Sequence, residues 1–163
     1  MALSIEILHE SDLWSEIPDI EDLSKNILNY ATQFVDIDDA LVSLCLSNDV
    51  AIKELNKKWR NIDKPTNVLS FPSASSMNFD NIILGDIIIS FETVQNECLN
   101  ENKSFQDHFT HLLIHGFLHL LGYDHIEEDE AIEMEQLERD ILAGLNISDP
   151  YEGTTIQSDT KHD

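Results

Sequence analysis

The segment running from His111 through Ile114-His115-Gly116-Phe117-Leu118-His119 to Gly122-Tyr123-Asp124-His125 carries four histidines. Three of them are spaced to bind one metal ion. His115 and His119 are four residues apart, so on a helix their imidazoles project from one face, one turn apart. Gly122 lets the chain leave that helix through a left-handed residue. Three residues later His125 can return to the same ion. Three neutral nitrogen donors suit zinc, and also nickel, copper or iron. Three protein ligands leave a fourth position for water, the pattern of a catalytic rather than a structural zinc site. A lone histidine on an apolar helix is ordinarily a packed or surface residue. Three at offsets 0, +4 and +10, with a glycine at +7, are not accounted for that way. His111 lies one turn earlier on the same face. His111 could be a fourth ligand, but because the ion is expected toward the Gly122 end it is read instead as a partner behind a ligand or as a packing residue.

The same spacing occurs in metzincin proteases, H-E-x-x-H-x-x-G-x-x-H, where the Glu after the first His is the general base. Here that position is Gly116, which has no group to take a proton. The ligand pattern agrees with that class, and the residue for peptide hydrolysis is missing.

Phosphate chemistry needs a cation as well as a metal. The net charge is −23, which argues against a general nucleic-acid binder. Its distribution matters more. Five of the nine basic residues, Lys53, Lys57, Lys58, Arg60 and Lys64, fall between positions 53 and 64. Residues 1–50 hold eleven acids and one base, and residues 126–163 hold twelve acids and two bases. The acidity lies mostly at the ends, and the middle carries one basic patch. Arg60 is a permanent cation able to grip a phosphate with two hydrogen bonds. Read from the residues alone, it fits a solvated arginine closing an amphipathic helix equally well. Lys57, Lys58 and Lys64 could guide a polyanionic ligand, though each taken singly reads as a surface lysine. Trp59 could stack on a base, but its helical spacing assigns it to the core.

The elements that must hold these residues follow from periodicity. Residues 3–7 alternate as a first strand. Ile20, Leu23, Ile27, Ala31 and Phe34 recur at helical spacing over residues 19–35. Residues 40–46 form a short apolar strand. Ser47 or Asn48 can cap a helix reaching about Trp59. Residues 63–67 are a turn-rich loop. Residues 68–71 read as a strand stopped by Pro72, and 73–80 as a loop. Residues 82–89 form the strand densest in β-branched residues, with Gly85 marking a bulge or a close backbone approach. A helix is expected over 91–99. Another runs from Ser104, with a capping-box-like Asp107, to Gly122. The last covers 127–143. The reading is a single α+β domain over 1–147: a roughly four-stranded mixed sheet packed with about five helices, with the metal site at the end of a central helix. Residues 148–163 are expected to form a flexible acidic tail. With 163 residues there is enough chain for one core. Cys45 and Cys98 lie far apart among apolar neighbours and read as buried free thiols. No 18-residue apolar run and no secretory signal is visible, so a cytoplasmic, reducing context without membrane association is expected.

Three motifs in order resemble the YbeY-type bacterial endoribonucleases. The family pattern H-G-x-L-H-L-x-G-Y-D-H is matched from His115 to His125. The run from Arg60 to Pro72, with Asp63-Lys64-Pro65-Thr66-Asn67-Val68-Leu69-Ser70-Phe71-Pro72, is similar to the second signature. Leu84-Gly85-Asp86-Ile87 is similar to the third. Together they span roughly the central half of the chain.

The resemblance implies zinc-dependent cleavage of single-stranded RNA in the cytoplasm, in ribosomal RNA (16S 3′-end) maturation and ribosome quality control. It implies one Zn2+ per chain on His115, His119 and His125, with Arg60 as the functionally important arginine, so that Arg60 and His115 are the catalytic candidates. The expected partners are single-stranded RNA or rRNA, together with ribosomal or ribosome-associated proteins that would bring so acidic a chain to RNA. Metal-bound imidazoles are ordinarily oriented by a carboxylate behind them, for which Asp124 and Asp86 are the candidates. The general base is not visible, and the attacking oxygen could be water or the 2′-hydroxyl. Two other readings use the same residues: a metalloprotease-like hydrolase on the three-histidine frame, against which Gly116 counts, and a non-catalytic ribosome-assembly factor stapled by zinc.

Overall fold

A computed structural model of the chain describes residues 3–37, 39–73, 82–123, 127–147 and 150. Four strands form one mixed sheet in the order β1-β2-β4-β3. They are β1 (Leu3–His9), β2 (Ala40–Ser47), β3 (Val68–Pro72) and β4 (Ile82–Ser90). The pairs β1–β2 and β2–β4 are parallel, and β3 runs antiparallel to β4 along the edge. Five α-helices accompany them: α1 (Ile20–Ala31), α2 (Asp49–Arg60), α3 (Phe91–Glu101), α4 (Phe105–Leu120) and α5 (Glu128–Gly144). This is the expected α+β architecture. None of the described helices is long and apolar enough to cross a membrane.

The starts of α2 and α4 follow from their caps. Oδ1 of Asn48 accepts from the Ala51 amide at 2.9 Å, and Oγ of Ser104 accepts from the Asp107 amide at 3.0 Å. Each satisfies a donor that the first helical turn leaves open. The helix expected to reach Val35 ends at Ala31 and tightens to a 3-10 turn over Thr32–Phe34. A second 3-10 turn, Asp12–Glu16, had no clear periodic signal. It drives Trp14 into the core, where the indole N–H donates to the Ser47 carbonyl at 2.8 Å. The ring meets Phe91, Phe105 and Phe109 edge-on.

The two faces of the sheet bury different partners. On one face Val42, Leu44, Val68, Ile87 and Ile89 pack with Leu112, Leu113 and Phe117 of α4 and with residues of α1 and α5. On the other face Leu69 and Ile88 pack with Ile52 of α2, flanked by Leu55 and Phe71. Helix α4 is therefore central: twelve of its sixteen residues, His108 to Leu118 and Leu120, are buried. Gly85 lies at a register shift between β2 and β4 and has φ +139°. A methyl group there would lie 2.2 Å from the Phe71 carbonyl oxygen and 3.0 Å from a Leu120 side-chain carbon. The glycine is thus required where the ends of β3 and β4 close on the end of α4.

Cys98 is buried and Cys45 half-buried, both as free thiols. Burial pushes Cys98 up to about 11, and burial together with Glu10 pushes Cys45 up to about 12. Both therefore stay protonated at neutral pH and are poor nucleophiles.

Candidate metal centre

The helical spacing of His115 and His119 brings their rings together at the last turns of α4. The ring centroids are 4.6 Å apart, nearly perpendicular, and the two Nε2 atoms are separated by 3.1 Å. Two imidazole nitrogens bound tetrahedrally to one zinc, each at about 2.0–2.1 Å, stand roughly 3.3–3.4 Å apart. The pair is thus close to the spacing a shared ion requires. His115 is buried and His119 only half-buried, so the His119 side is where solvent and substrate can approach.

Behind His115 stands Glu138 of α5, whose side chain has no solvent exposure. The Nδ1–H of His115 donates to its Oε2 at 2.8 Å, and the Nε2–H of His111 donates to its Oε1 at 3.3 Å. Burial by itself would raise the Glu138 carboxyl. His115 and His111 outweigh this through charge and hydrogen bonding and hold it well below the usual carboxylate range. Burial lowers His111 below its ordinary value, against the pull of Glu138. An ionised carboxylate only accepts hydrogen bonds. It therefore fixes the His115 proton on Nδ1 and leaves the Nε2 lone pair directed at His119.

His111, His115 and Glu138 are the described residues whose potential ligand atoms all lie within 4.8 Å of one another, and all three are buried. As a complete ligand set they would enclose an ion without an open side. As a carboxylate shared by two imidazoles, one of which presents its other nitrogen outward, they match the support that metal-binding histidines ordinarily have. The second arrangement also accounts for the hydrogen-bond distances. Asp124 and His125 lie outside the described residues. Asp86 is exposed on β4, opposite Phe71 on β3 and Ser43 on β2. His111 packs behind His115 rather than toward Gly122.

Glu138 was not among the residues singled out in the sequence. A signal was nonetheless present. Ala131, Met134, Ile141 and Leu142 mark the apolar stripe of α5, and Glu138 lies within it. A carboxylate on the buried stripe of an amphipathic helix needs a partner.

Gly116 is pressed against the sheet. A methyl group on it would lie 3.0 Å from Ile87 Cγ2 and from Ser70 Oγ, and 3.3 Å from Val68 Cγ2. The Ser70 hydroxyl donates to the Gly116 carbonyl at 2.9 Å. The position after His115 is thus packed against β3 and β4.

The basic patch occupies the end of α2 and the loop beyond it. Lys57, Lys58, Arg60 and Lys64 are all exposed. Asn61 turns the chain in the left-handed conformation, and the buried Asn56 side chain donates to the Lys64 carbonyl at 2.9 Å. Asn67 then anchors the loop. Its Nδ2 donates to Glu97 at 3.0 Å, and Glu97 Oε1 also accepts from His108 of α4 at 2.8 Å. The basic loop is tied in this way to the same helix that carries the histidines. Trp59, expected in the core, is 60% exposed.

The fold and the site define an α+β domain whose central helix presents a carboxylate-backed histidine centre suited to a metal. The profile of the family described as Endoribonuclease YbeY matches residues 7–146. Over 160 residues the chain is 47% identical to Endoribonuclease YbeY of Allorhizobium ampelinum, covering 93% of this chain and 96% of that protein. It is 46% identical to Endoribonuclease YbeY of Sinorhizobium fredii, covering 92% of each. The solution structure of TM1509 from Thermotoga maritima superposes with a TM-score of 0.56 at 27% identity, covering 93% of this chain and 99% of that one. The chain belongs to the Endoribonuclease YbeY family.

Proposed function

We propose that this protein is a cytoplasmic, zinc-dependent endoribonuclease that cuts single-stranded RNA in 16S rRNA 3′-end maturation and ribosome quality control. The observation that carries this reading is the pair of Nε2 atoms at 3.1 Å, with the carboxylate of Glu138 behind one of them. His115, His119 and His125 would hold the ion. Bound there, zinc supplies Lewis-acid chemistry at a phosphodiester. Glu138 keeps His115 in the tautomer whose Nε2 can bind. Arg60 grips the non-bridging phosphate oxygens and stabilises the charge that grows on them. Lys57, Lys58 and Lys64 draw the RNA backbone to an otherwise acidic chain, which a ribosomal or ribosome-associated protein helps to deliver. Other divalent transition metals could occupy the same nitrogens. Gly116, lodged against the sheet, argues against a protease on this frame.

Purified protein is expected to contain about one zinc per chain and to cleave single-stranded RNA in a chelator-sensitive way, leaving casein intact. His115→Ala should lose both metal and cleavage. Proteolysis without RNA cleavage would reverse the reading, and metal-bound protein that cuts nothing would favour an assembly factor. The product ends distinguish the attacking oxygen: a 2′,3′-cyclic phosphate requires the 2′-hydroxyl, and a direct 5′-phosphate and 3′-hydroxyl requires water.

Glu138→Gln keeps the volume and one acceptor but removes the charge behind His115. Loss of such a supporting partner lowers metal affinity by about 10- to 100-fold. Competition with a chromophoric zinc chelator measures this directly. Wild-type affinity in a folded Glu138→Gln variant would detach Glu138 from the metal site.

A further inference from the structure

Trp59 follows Ile52 by seven residues and Leu55 by four, in line with the buried stripe of α2. The indole is nevertheless 60% exposed. It makes an edge-type pairing with Phe71 at 6.4 Å between centroids and 61° between planes. The Lys58 ammonium stands 5.1 Å from the ring centroid. Around it lie the exposed Lys57, Arg60 and Lys64, the chain's one concentration of positive charge.

We propose that Trp59 is a stacking platform for a nucleobase of single-stranded RNA, a subsite beside the phosphate grip of Arg60. The inference rests on the endoribonuclease reading and adds a base-binding position to it. A large aromatic ring left in water among cations offers the two things single-stranded RNA presents together, a π-face and a phosphate. Phe71 supports the ring from the edge strand and limits its rotation. Location connects it to the chemistry. Phe71 and Pro72 end the strand whose backbone closes on Gly85, and Leu120, the neighbour of His119, closes on the same glycine. The strand end beneath Trp59 is therefore also the strand end beside the histidine helix. Because every base has a π-face, this subsite favours unpaired over paired RNA without choosing a sequence.

The test uses the intrinsic fluorescence of the zinc-loaded protein. The chain has two tryptophans, and Trp14 is buried, so a ligand-induced change reports on Trp59. A 2′-O-methyl oligouridine hexamer should quench the emission, and an abasic oligomer of equal charge should not. Trp59→Ala should raise KM for a single-stranded RNA substrate on the order of tenfold, alter kcat less, and leave bound zinc and far-UV circular dichroism as in the wild type. Trp59→Phe should recover most of the loss. An unchanged KM in Trp59→Ala, equal quenching by the abasic oligomer, or quenching by polyglutamate in place of RNA would each overturn the proposal. If wild-type protein cleaves RNA and Trp59→Ala cleaves it identically, the stacking subsite fails alone. If wild-type protein neither binds nor cleaves RNA, the endoribonuclease reading fails with it.

Discussion

A Gly116→Glu variant is expected not to fold. The substitution would restore, in sequence, the residue that serves as base in metzincin proteases. In this fold the first atom of that side chain already meets Ile87, Ser70 and Val68 at 3.0–3.3 Å. These neighbours are buried in the sheet and cannot swing aside into solvent. Overpacking of this kind costs about 1–3 kcal/mol. An ionised carboxylate without a partner in the same place adds several kcal/mol more, roughly. The sum approaches the about 5–15 kcal/mol that stabilises a typical domain. Gly116→Ala separates the two contributions, because it brings the packing strain without the charge and gains about 1 kcal/mol of helix propensity. The alanine variant should fold with a modest loss, and the glutamate variant should be insoluble or molten. Circular dichroism and urea titration of both check this. A folded, metal-binding Gly116→Glu protein would mean that α4 can lift from the sheet and would undo the account of why this frame lacks a protease base.

Arg60→Ala should have the opposite signature, an intact protein without activity. Arg60 is exposed at the last position of α2, so its truncation should change stability by less than about 0.5 kcal/mol. Removing one group positioned on developing charge costs on the order of a hundredfold or more in kcat, roughly 3 kcal/mol of barrier. Metal analysis, a melting curve and an RNA cleavage assay on the same preparation give the three readouts. Arg60→Lys sharpens the test: it keeps the charge and loses the planar fork, so partial activity is expected if two hydrogen bonds to one phosphate matter. Full activity in Arg60→Ala would remove this arginine from the mechanism.

The two expectations share a cause. Position 116 is set by the need of α4 to lie flat on β3 and β4, and position 60 by the end of a helix on the other face of the sheet. The structure ties the two faces together through short polar links. Asn56 to the Lys64 carbonyl and Asn67 to Glu97 and His108 are the clearest of them. These links make the basic loop and the histidine helix parts of one frame.

By itself the sequence determined what local periodicity can carry. The four-residue step from His115 to His119 guarantees one helix face, because 3.6 residues complete a turn, and the structure finds their Nε2 atoms 3.1 Å apart. Asn48 and Ser104 mark helix starts because their side chains satisfy amide donors within three residues. The density of β-branched residues marks β4, and Gly85 its irregularity. Gly116 could be read as an absent base. That it is also a contact surface depends on Ile87, Ser70 and Val68, which approach from strands far along the chain. The position of Glu138 was a tertiary decision as well. Twenty-three residues separate it from His115, and a glutamate within a helix reads as solvated until packing α5 on α4 removes the water. Trp59 was misread for the related reason. Helical spacing tells which side a residue faces, but only the packing of the elements tells whether anything is there to cover it. Position along one element follows from local sequence physics, and what lies opposite it follows from how the elements pack.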